Sequence, residues 1–104
     1  MDIYTLRDFI WDNRVHFTWH ARREMQSAYL SEVEVRESIL SGALIDTEID
    51  QTGTKYRVQG ESFITNRIIE TICAVSRDET TNQAQLIIVT VYERKPKRRR
   101  RRRR

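Results

Sequence analysis

Residues 31–49 read SEVEVRESILSGALIDTEI, and within them a helical pattern gives way to an extended one. The SEVE start has the spacing of a capping box, in which a hydroxyl and a carboxylate bind the first free amide groups of a helix. Gly42 follows the last apolar positions, so the sequence predicts a helix over residues 32–41 that ends at this glycine. The isoleucines and threonine that follow predict a strand over residues 43–49.

Two further helices are predicted before this stretch. TLRD at residues 5–8 fits a capping box, and the apolar residues after it predict a helix over residues 4–14. Thr18 can cap a helix over residues 19–28. Between these two helices, Val15–Phe17 is interpreted as a short extended link.

Three more strands are predicted after residue 49, over residues 55–59, 68–75 and 85–92. The polar links between them are short, which favours antiparallel neighbours. Residues 86–89 are apolar without interruption, which indicates a central strand that is covered on both faces. The expected fold is therefore α+β, with the N-terminal helices packed on one face of a four-stranded antiparallel sheet.

Charge divides the 104 residues into an acidic body and a basic end. Ten of the 19 basic residues lie from Arg94 onward, which leaves nine basic against 15 acidic residues before it. We expect one α+β domain over residues 1–93 and a disordered arginine-rich tail over residues 94–104. The tail could capture RNA, DNA or an acidic partner regardless of sequence. It could also lie loosely over the acidic body or be an accident of the reading frame.

Composition also excludes several classes of protein. No apolar run approaches the ~18 residues of a membrane span, and the amino terminus does not have the pattern of a signal peptide. A cytoplasmic protein is therefore expected, with no membrane partner. Cys73 is the only cysteine, so neither an internal disulfide nor a cysteine-rich zinc site can form, and a buried thiol is expected.

The predicted helix over residues 19–28 carries the most suggestive chemistry. Its repeat places His20, Arg23 and Glu24 on one face. A titratable ring beside a fixed cation suits phosphate chemistry, although an ordinary solvated helix face has the same composition. Glu24 would either orient His20 or simply solvate the helix.

Several motifs along the chain resemble one known family. They are His20-Ala21, Glu24-Met25, Leu30 to Val35, Ile39 to Gly42, Tyr56 to Gly60 and Val89 to Tyr92. In this order they resemble an uncharacterised bacterial family of the DUF4258 type, whose helix reads His-Ala-x-x-Glu/Arg-Met. The resemblance covers roughly residues 16–92. Two segments depart from it, since Ile68 to Ile72 replaces a Pro-x-His-Val segment and an arginine run replaces a proline-rich ending.

This family looks like a relative of the RelE, BrnT and MqsR type toxins. The resemblance implies a RelE-like fold and a metal-independent endoribonuclease of a toxin–antitoxin pair, with RNA as substrate. It also implies an antitoxin protein as partner, with the zinc-finger type as one candidate, and no cofactor. The alternative is a non-catalytic module of the same fold that binds protein or nucleic acid.

Four residues are the candidates for catalysis: His20, Arg23, Arg57 and Tyr92. Metal-free RNA cleavage needs a group that transfers protons near neutral pH, which favours His20. Arg57 and Arg23 would offset phosphate charge, and Tyr92 would donate to a phosphate. The ordinary alternatives are a structural histidine, a cross-strand pair of Arg57 with Asp46 or Glu48, an intrahelical pair of Arg23, and a core tyrosine.

The candidate RNA-binding residues are aromatic or basic: Trp19, Lys55, Arg98, Arg99 and Arg100. Trp19 is the better candidate for stacking on bases, since Trp11 is expected to lie against the core. His16, His20 and Glu24 lack a third clear ligand, so no metal site is expected. The catalytic hypothesis requires that His20, Arg57 and Tyr92 converge on one phosphate-sized space.

Overall fold

A computed structural model describes residues 1–94 of the chain. Within them, three helices and five strands follow in the order α1 (Ile3–Trp11), β1 (Val15–Phe17), α2 (Trp19–Ala28), α3 (Glu32–Ser41), β2 (Ala43–Asp50), β3 (Gly53–Glu61), β4 (Ile68–Arg77) and β5 (Ala84–Glu93). The fold is α+β, as predicted. Apart from Arg94, the predicted tail lies outside the described residues.

The sheet is open and mixed, with the strand order β1-β5-β4-β3-β2. β2 to β5 pair antiparallel, whereas β1 pairs parallel with β5, with Val15 opposite Leu86 and Phe17 opposite Ile88. The prediction of four antiparallel strands is therefore wrong on both counts. The segment interpreted as a link is a fifth strand, and its three residues are too few to show a periodic pattern of their own.

β5 does not occupy the position that its sequence indicated. β4 is the central strand, and β5 lies between β4 and the short β1. Leu86 and Ile88 are fully buried, while Ile87 and Val89 on the other face are only partly covered. An interior strand in a sheet covered by helices on one face can thus carry a continuous apolar run.

The core lies between the helices and one face of the sheet. Its fully buried members include Leu6 of α1, Val35 and Ile39 of α3, and one alternate set of strand residues: Val58, Ile69, Cys73, Leu86, Ile88 and Val91. Cys73 is buried as expected, and burial raises the pKa of its thiol to about 12. Trp11 was expected to lie against this core but is 72% exposed, since it follows the last inward positions of α1.

Local caps set the helix ends. The Thr18 hydroxyl accepts from the Ala21 amide at 3.0 Å, and α2 begins as predicted. Ser31 and Glu34 form both bonds of the capping box of α3. Asp2 rather than Thr5 caps α1, which begins at Ile3 and is shorter than predicted.

Helix α3 packs very closely on β3. A Cβ atom on Gly60 would lie 1.9 Å from the Ser38 carbonyl oxygen and 2.7 Å from the Cα of Gly42. Only glycine fits at this contact. In the described part of the chain, no helix is long and apolar enough to span a membrane.

Candidate functional site

A groove between α2 and the end of β5, here called the α2 groove, contains several of the predicted site residues. Its volume is about 850 Å³. It is lined by His20, Arg23, Glu24, Ser27, Ala28, Tyr29, Arg67, Val91, Tyr92 and Glu93. Three of the four candidate catalytic residues are thus brought to one surface.

The groove exists because β1 is short. Its pairing with β5 ends where Phe17 lies opposite Ile88, and the Thr18 amide then donates to the Ile88 carbonyl at 3.0 Å. The Thr18 hydroxyl also donates to the Val89 carbonyl at 3.3 Å. Beyond this point the chain turns into α2, so the last residues of β5 have a helix rather than a strand beside them.

At the end of β5, the Glu24 side chain rather than a neighbouring strand binds the backbone. Its Oε1 accepts from the Val91 amide at 2.9 Å, and its Oε2 lies 3.3 Å from Nε2 of His20. One carboxylate therefore bridges the edge of the sheet and the imidazole. Of the two roles considered for Glu24, the geometry favours the orientation of His20. The His20 side chain keeps 65% exposure, so its ring remains accessible from the groove.

Arg23 and Trp19 form a stacked pair at the start of α2. The Arg23 guanidinium carbon lies 4.8 Å from the centre of the Trp19 ring, and Trp19 is 72% exposed. The exposed Trp19 ring does not line the groove. Arg23 reaches both the indole and the groove wall.

Tyr92, on the opposite wall, belongs to a set of hydrogen-bonded side chains, here called the Glu70 cluster: Glu70, Arg57, Tyr92 and Arg94. Glu70 of β4 points away from the helices yet is completely buried, because the other three side chains cover it. It accepts short hydrogen bonds from Tyr92 and Arg57, and one of 3.1 Å from Arg94. Nη1 of Arg57 also donates to the Tyr92 hydroxyl at 2.8 Å.

The charge states of the Glu70 cluster follow from these contacts. Burial raises the pKa of the Glu70 carboxyl, but the hydrogen bonds from Tyr92 and Arg57 and the charges of Arg57 and Arg94 outweigh it and leave the pKa below the ordinary value. Burial and the bond to Glu70 raise the pKa of Tyr92. Glu70 is therefore an anion, and Tyr92 remains a neutral phenol whose hydroxyl donates a hydrogen bond to Glu70.

Arg57 is not a wall of the α2 groove. Its guanidinium is bound to Glu70 and Tyr92, and Nη2 lies 3.9 Å from Glu48. A cross-strand pair with Asp46 or Glu48 was the predicted alternative role of Arg57, and the structure shows the contact with Glu48. The main partner, Glu70, was missed, although a single acid within the apolar run of β4 is a signal that could have drawn attention to it.

Convergence of the predicted residues is consequently partial. His20, Arg23 and Tyr92 share the groove, while Arg57 reaches it only through its bond to Tyr92. Lys55 lies beside the turn between β2 and β3, where its ammonium group binds the Thr52 hydroxyl at 2.6 Å and lies 3.6 Å from Asp50. The predicted arginines Arg98, Arg99 and Arg100 lie outside the described residues.

Arg67 and Tyr29 belong to the groove and were not predicted. Arg67 donates to the carbonyls of Ala28 and Tyr29 at the end of α2, and to Glu93 at 2.8 Å. These bonds close one end of the groove. Tyr29 has a positive φ of 57° and is 87% exposed beside it. The partners of Arg67 are 26 to 39 residues away in the sequence, so no short sequence motif indicates these contacts.

No metal-binding group is formed by the part of the chain that the structure describes, since no three His, Cys, Asp or Glu side chains there are grouped suitably. The groups available for chemistry in the groove are an accessible imidazole and an arginine, because the Tyr92 hydroxyl is bound to Glu70 and Arg57. Such groups can transfer protons and bind anionic oxygens.

Comparisons with known proteins connect this site to a family. No curated protein and no solved structure gave a significant match. Residues 17–93, which carry the α2 groove and the Glu70 cluster apart from Arg94, match a family described as a domain of unknown function, DUF4258. Because this match spans well over half of the sequence, the chain belongs to the DUF4258 family.

Proposed function

We propose that this protein is a metal-independent endoribonuclease and that RNA binds in the α2 groove. The observation that carries the proposal is the contact between the accessible His20 imidazole and Glu24. Nε2 of His20 lies 3.3 Å from the Glu24 carboxylate, and the same carboxylate accepts from the Val91 amide. A fixed carboxylate beside an exposed imidazole is an arrangement that suits general acid–base catalysis.

The proposed reaction is an internal transfer at phosphorus. His20 takes the proton of the ribose 2′-hydroxyl, and the resulting oxygen attacks phosphorus to form a 2′,3′-cyclic phosphate. The bond from phosphorus to the 5′-oxygen breaks, and this oxygen receives a proton from the imidazolium. Arg23 stabilises the charge on the phosphate oxygens. The proton that His20 takes from the 2′-hydroxyl is thus passed to the 5′-oxygen.

Tyr92 and Arg57 take supporting roles in this scheme. The Tyr92 hydroxyl donates to Glu70, so Tyr92 is better suited to shape the groove than to donate to the leaving oxygen. Arg57 is a positioning residue, since it holds Tyr92 at 2.8 Å and has no place on the groove wall. Trp19 and Tyr29, exposed near the two ends of α2, can stack on unpaired bases.

We further propose that the protein is a relative of RelE-type toxins and acts in the cytoplasm with an antitoxin protein, for which a zinc-finger type is one candidate. Helices packed against one face of an antiparallel β2–β5 sheet support a RelE-like arrangement. The arginine-rich segment, which includes Arg98, Arg99 and Arg100, would add sequence-independent attraction to RNA. This attraction would offset the acidic character of the body.

A non-catalytic binding module of the same fold is the second candidate. It is favoured by the Glu70 cluster, because Arg57 is occupied by Glu70 and Tyr92 and does not present a free guanidinium to a phosphate. In this case the groove would bind RNA or a protein partner without cleavage.

The test compares His20→Ala with His16→Ala. His16 is the other histidine, exposed on β1 and not among the groove residues, so it is a matched control. We expect induced wild-type protein and His16→Ala to slow bacterial growth and fragment RNA, and we expect His20→Ala to abolish both effects. Purified proteins on a single-stranded RNA would show a loss on the order of 10² to 10⁴-fold for His20→Ala. Equal cleavage by wild type and His20→Ala would refute catalysis at His20.

A further inference from the structure

The strand β2 lies at one end of the sheet, far in strand order from β5 and the α2 groove. Within residues 1–94, only β3 pairs with it. Every residue of β2 except Leu44 is exposed. The outer edge of an end strand carries backbone groups that can pair with another extended chain.

The side chains of β2 form two different rows. Asp46, Glu48 and Asp50 alternate on the face that points away from the helices. The other row contains Thr47 and Ile49, and Ile49 is 79% exposed. A strand that matches both rows would alternate basic with apolar side chains, because successive residues of a strand point to opposite faces.

A groove with both apolar and polar walls continues from the start of β2. This β2 groove has a volume of about 630 Å³, and its walls include Ala43, Ile45 and Phe63. Phe63 is 63% exposed, and the loop that carries it is fixed because Glu37 accepts from the Ser62 hydroxyl and the Phe63 amide, both at 2.9 Å. A surface that is already ordered loses little entropy when a partner binds.

Charge decides which occupant fits this edge. If two copies of β2 paired with each other, their carboxylate rows would lie side by side, and like charges on neighbouring strands are destabilising. A basic segment has the opposite effect. Asp46 already accepts from the Thr47 amide at 2.8 Å, so a basic side chain that draws this carboxylate away would leave the amide free to pair.

We propose that the β2 edge binds an extended segment of a partner protein in which basic and apolar side chains alternate over about seven residues. The segment adds a strand beside β2. Its basic side chains lie along the carboxylate row, and its apolar side chains lie along Thr47 and Ile49 on the other face. This surface shares no residue with the α2 groove, so the inference does not depend on ribonuclease activity.

The experiment titrates the full chain with a labelled peptide, Lys-Val-Arg-Val-Lys-Val-Arg, and follows binding by fluorescence anisotropy and amide hydrogen exchange. We expect slower exchange in residues 43–50 when the peptide is bound. Asp46→Asn combined with Glu48→Gln should weaken binding by about tenfold, since each exposed ion pair contributes modestly. The matched control, Asp8→Asn with Glu79→Gln, removes the same charge from exposed positions elsewhere and should leave binding unchanged.

A second peptide of identical composition, with its valines grouped at one end, separates strand addition from plain charge attraction. We expect it to bind at least several times more weakly, and equal affinity would overturn the proposal. Slow exchange without peptide of the β2 amides that do not bond to β3, such as that of Thr47, would also overturn it. If that protection disappeared in high salt, the chain's own basic residues would be the occupant, and if it rose with protein concentration, a second copy would be.

Discussion

Two buried glutamates, Glu34 and Glu70, differ in how the chain supplies their partners. Glu34 lies in the first turn of α3 and is 7% exposed, and its bonds to the Ser31 amide and hydroxyl come from three residues away. Glu70 lies in the central strand and is 0% exposed. Among its hydrogen-bond partners, the closest in sequence is Arg57, which is 13 residues away. One carboxylate is organised mainly by its own helix start, and the other only by the assembled sheet.

The two sites agree in their electrostatics. At Glu34, burial raises the pKa of the carboxyl, while hydrogen bonds from Ser31 and Thr65 and the charge of Arg67 outweigh it and lower the pKa, as happens at Glu70. Both carboxylates therefore stabilise the fold as anions. The comparison shows that either a local motif or distant residues can lower the pKa of a buried carboxyl.

The largest effect is expected from Glu70→Ala, which tests the distant site. The substitution leaves Arg57 and Tyr92 without their acceptor and opens a cavity in the middle of the sheet. We expect the free energy of unfolding to fall by about 2 to 3 kcal/mol, below the full cost of breaking a buried pair because Arg57 can regain water. Urea denaturation followed by circular dichroism measures the change.

Glu48→Ala is the control for this prediction. Glu48 lies 3.9 Å from Arg57, but its side chain is 59% exposed, so its loss should leave the urea midpoint almost unchanged. Equal losses for the two variants would mean that burial of Glu70 does not matter.

A smaller effect is expected from Glu34→Ala, which tests the local site. The variant loses the capping box and the bond from the Thr65 hydroxyl, and we expect a loss of about 1 to 2 kcal/mol in the same assay. Glu34→Gln keeps an acceptor oxygen for the Ser31 amide and should lose less. A loss at Glu34→Ala that exceeds the loss at Glu70→Ala would reverse the comparison.

The smallest effect is a change in acid sensitivity. Because the pKa values of Glu34 and Glu70 are lower in the folded chain, the unfolded chain binds protons first as the pH falls. Their contribution is complete above the ordinary glutamate pKa of 4.5 and is lost as the pH falls through the lowered values. Urea midpoints measured from about pH 6 to about pH 3 should fall less steeply for Glu70→Gln than for wild type. Parallel curves would contradict this account.

Much of the fold could be predicted because its signals are short. The bounds of α2 and α3 agree with prediction, since Thr18 and the SEVE capping box act within three residues. The four longer strands were also expected, from their content of β-branched residues. β1 was missed because three residues cannot show alternation, and its parallel pairing depends on where β5 lies.

The candidate site could be predicted only in part. His20 and Glu24 are four residues apart on one helix, so their contact follows from the helical repeat. The bond from Glu24 to Val91 spans 67 residues, and the capture of Arg57 by Glu70 depends on the register of β3 and β4. Neither contact could be predicted from the spacing of residues in the sequence.

Short segments of the sequence are sufficient to predict the α+β class, the starts of two helices, the burial of Cys73 and the shared face of His20 and Glu24. Each of these depends on residues within about one turn of helix or on the content of a single segment. The assembled fold was needed to establish the strand order, the α2 groove and the buried anion at Glu70. The reason is physical: these features require backbone pairing and side-chain bonds between segments that come together only when the sheet has formed.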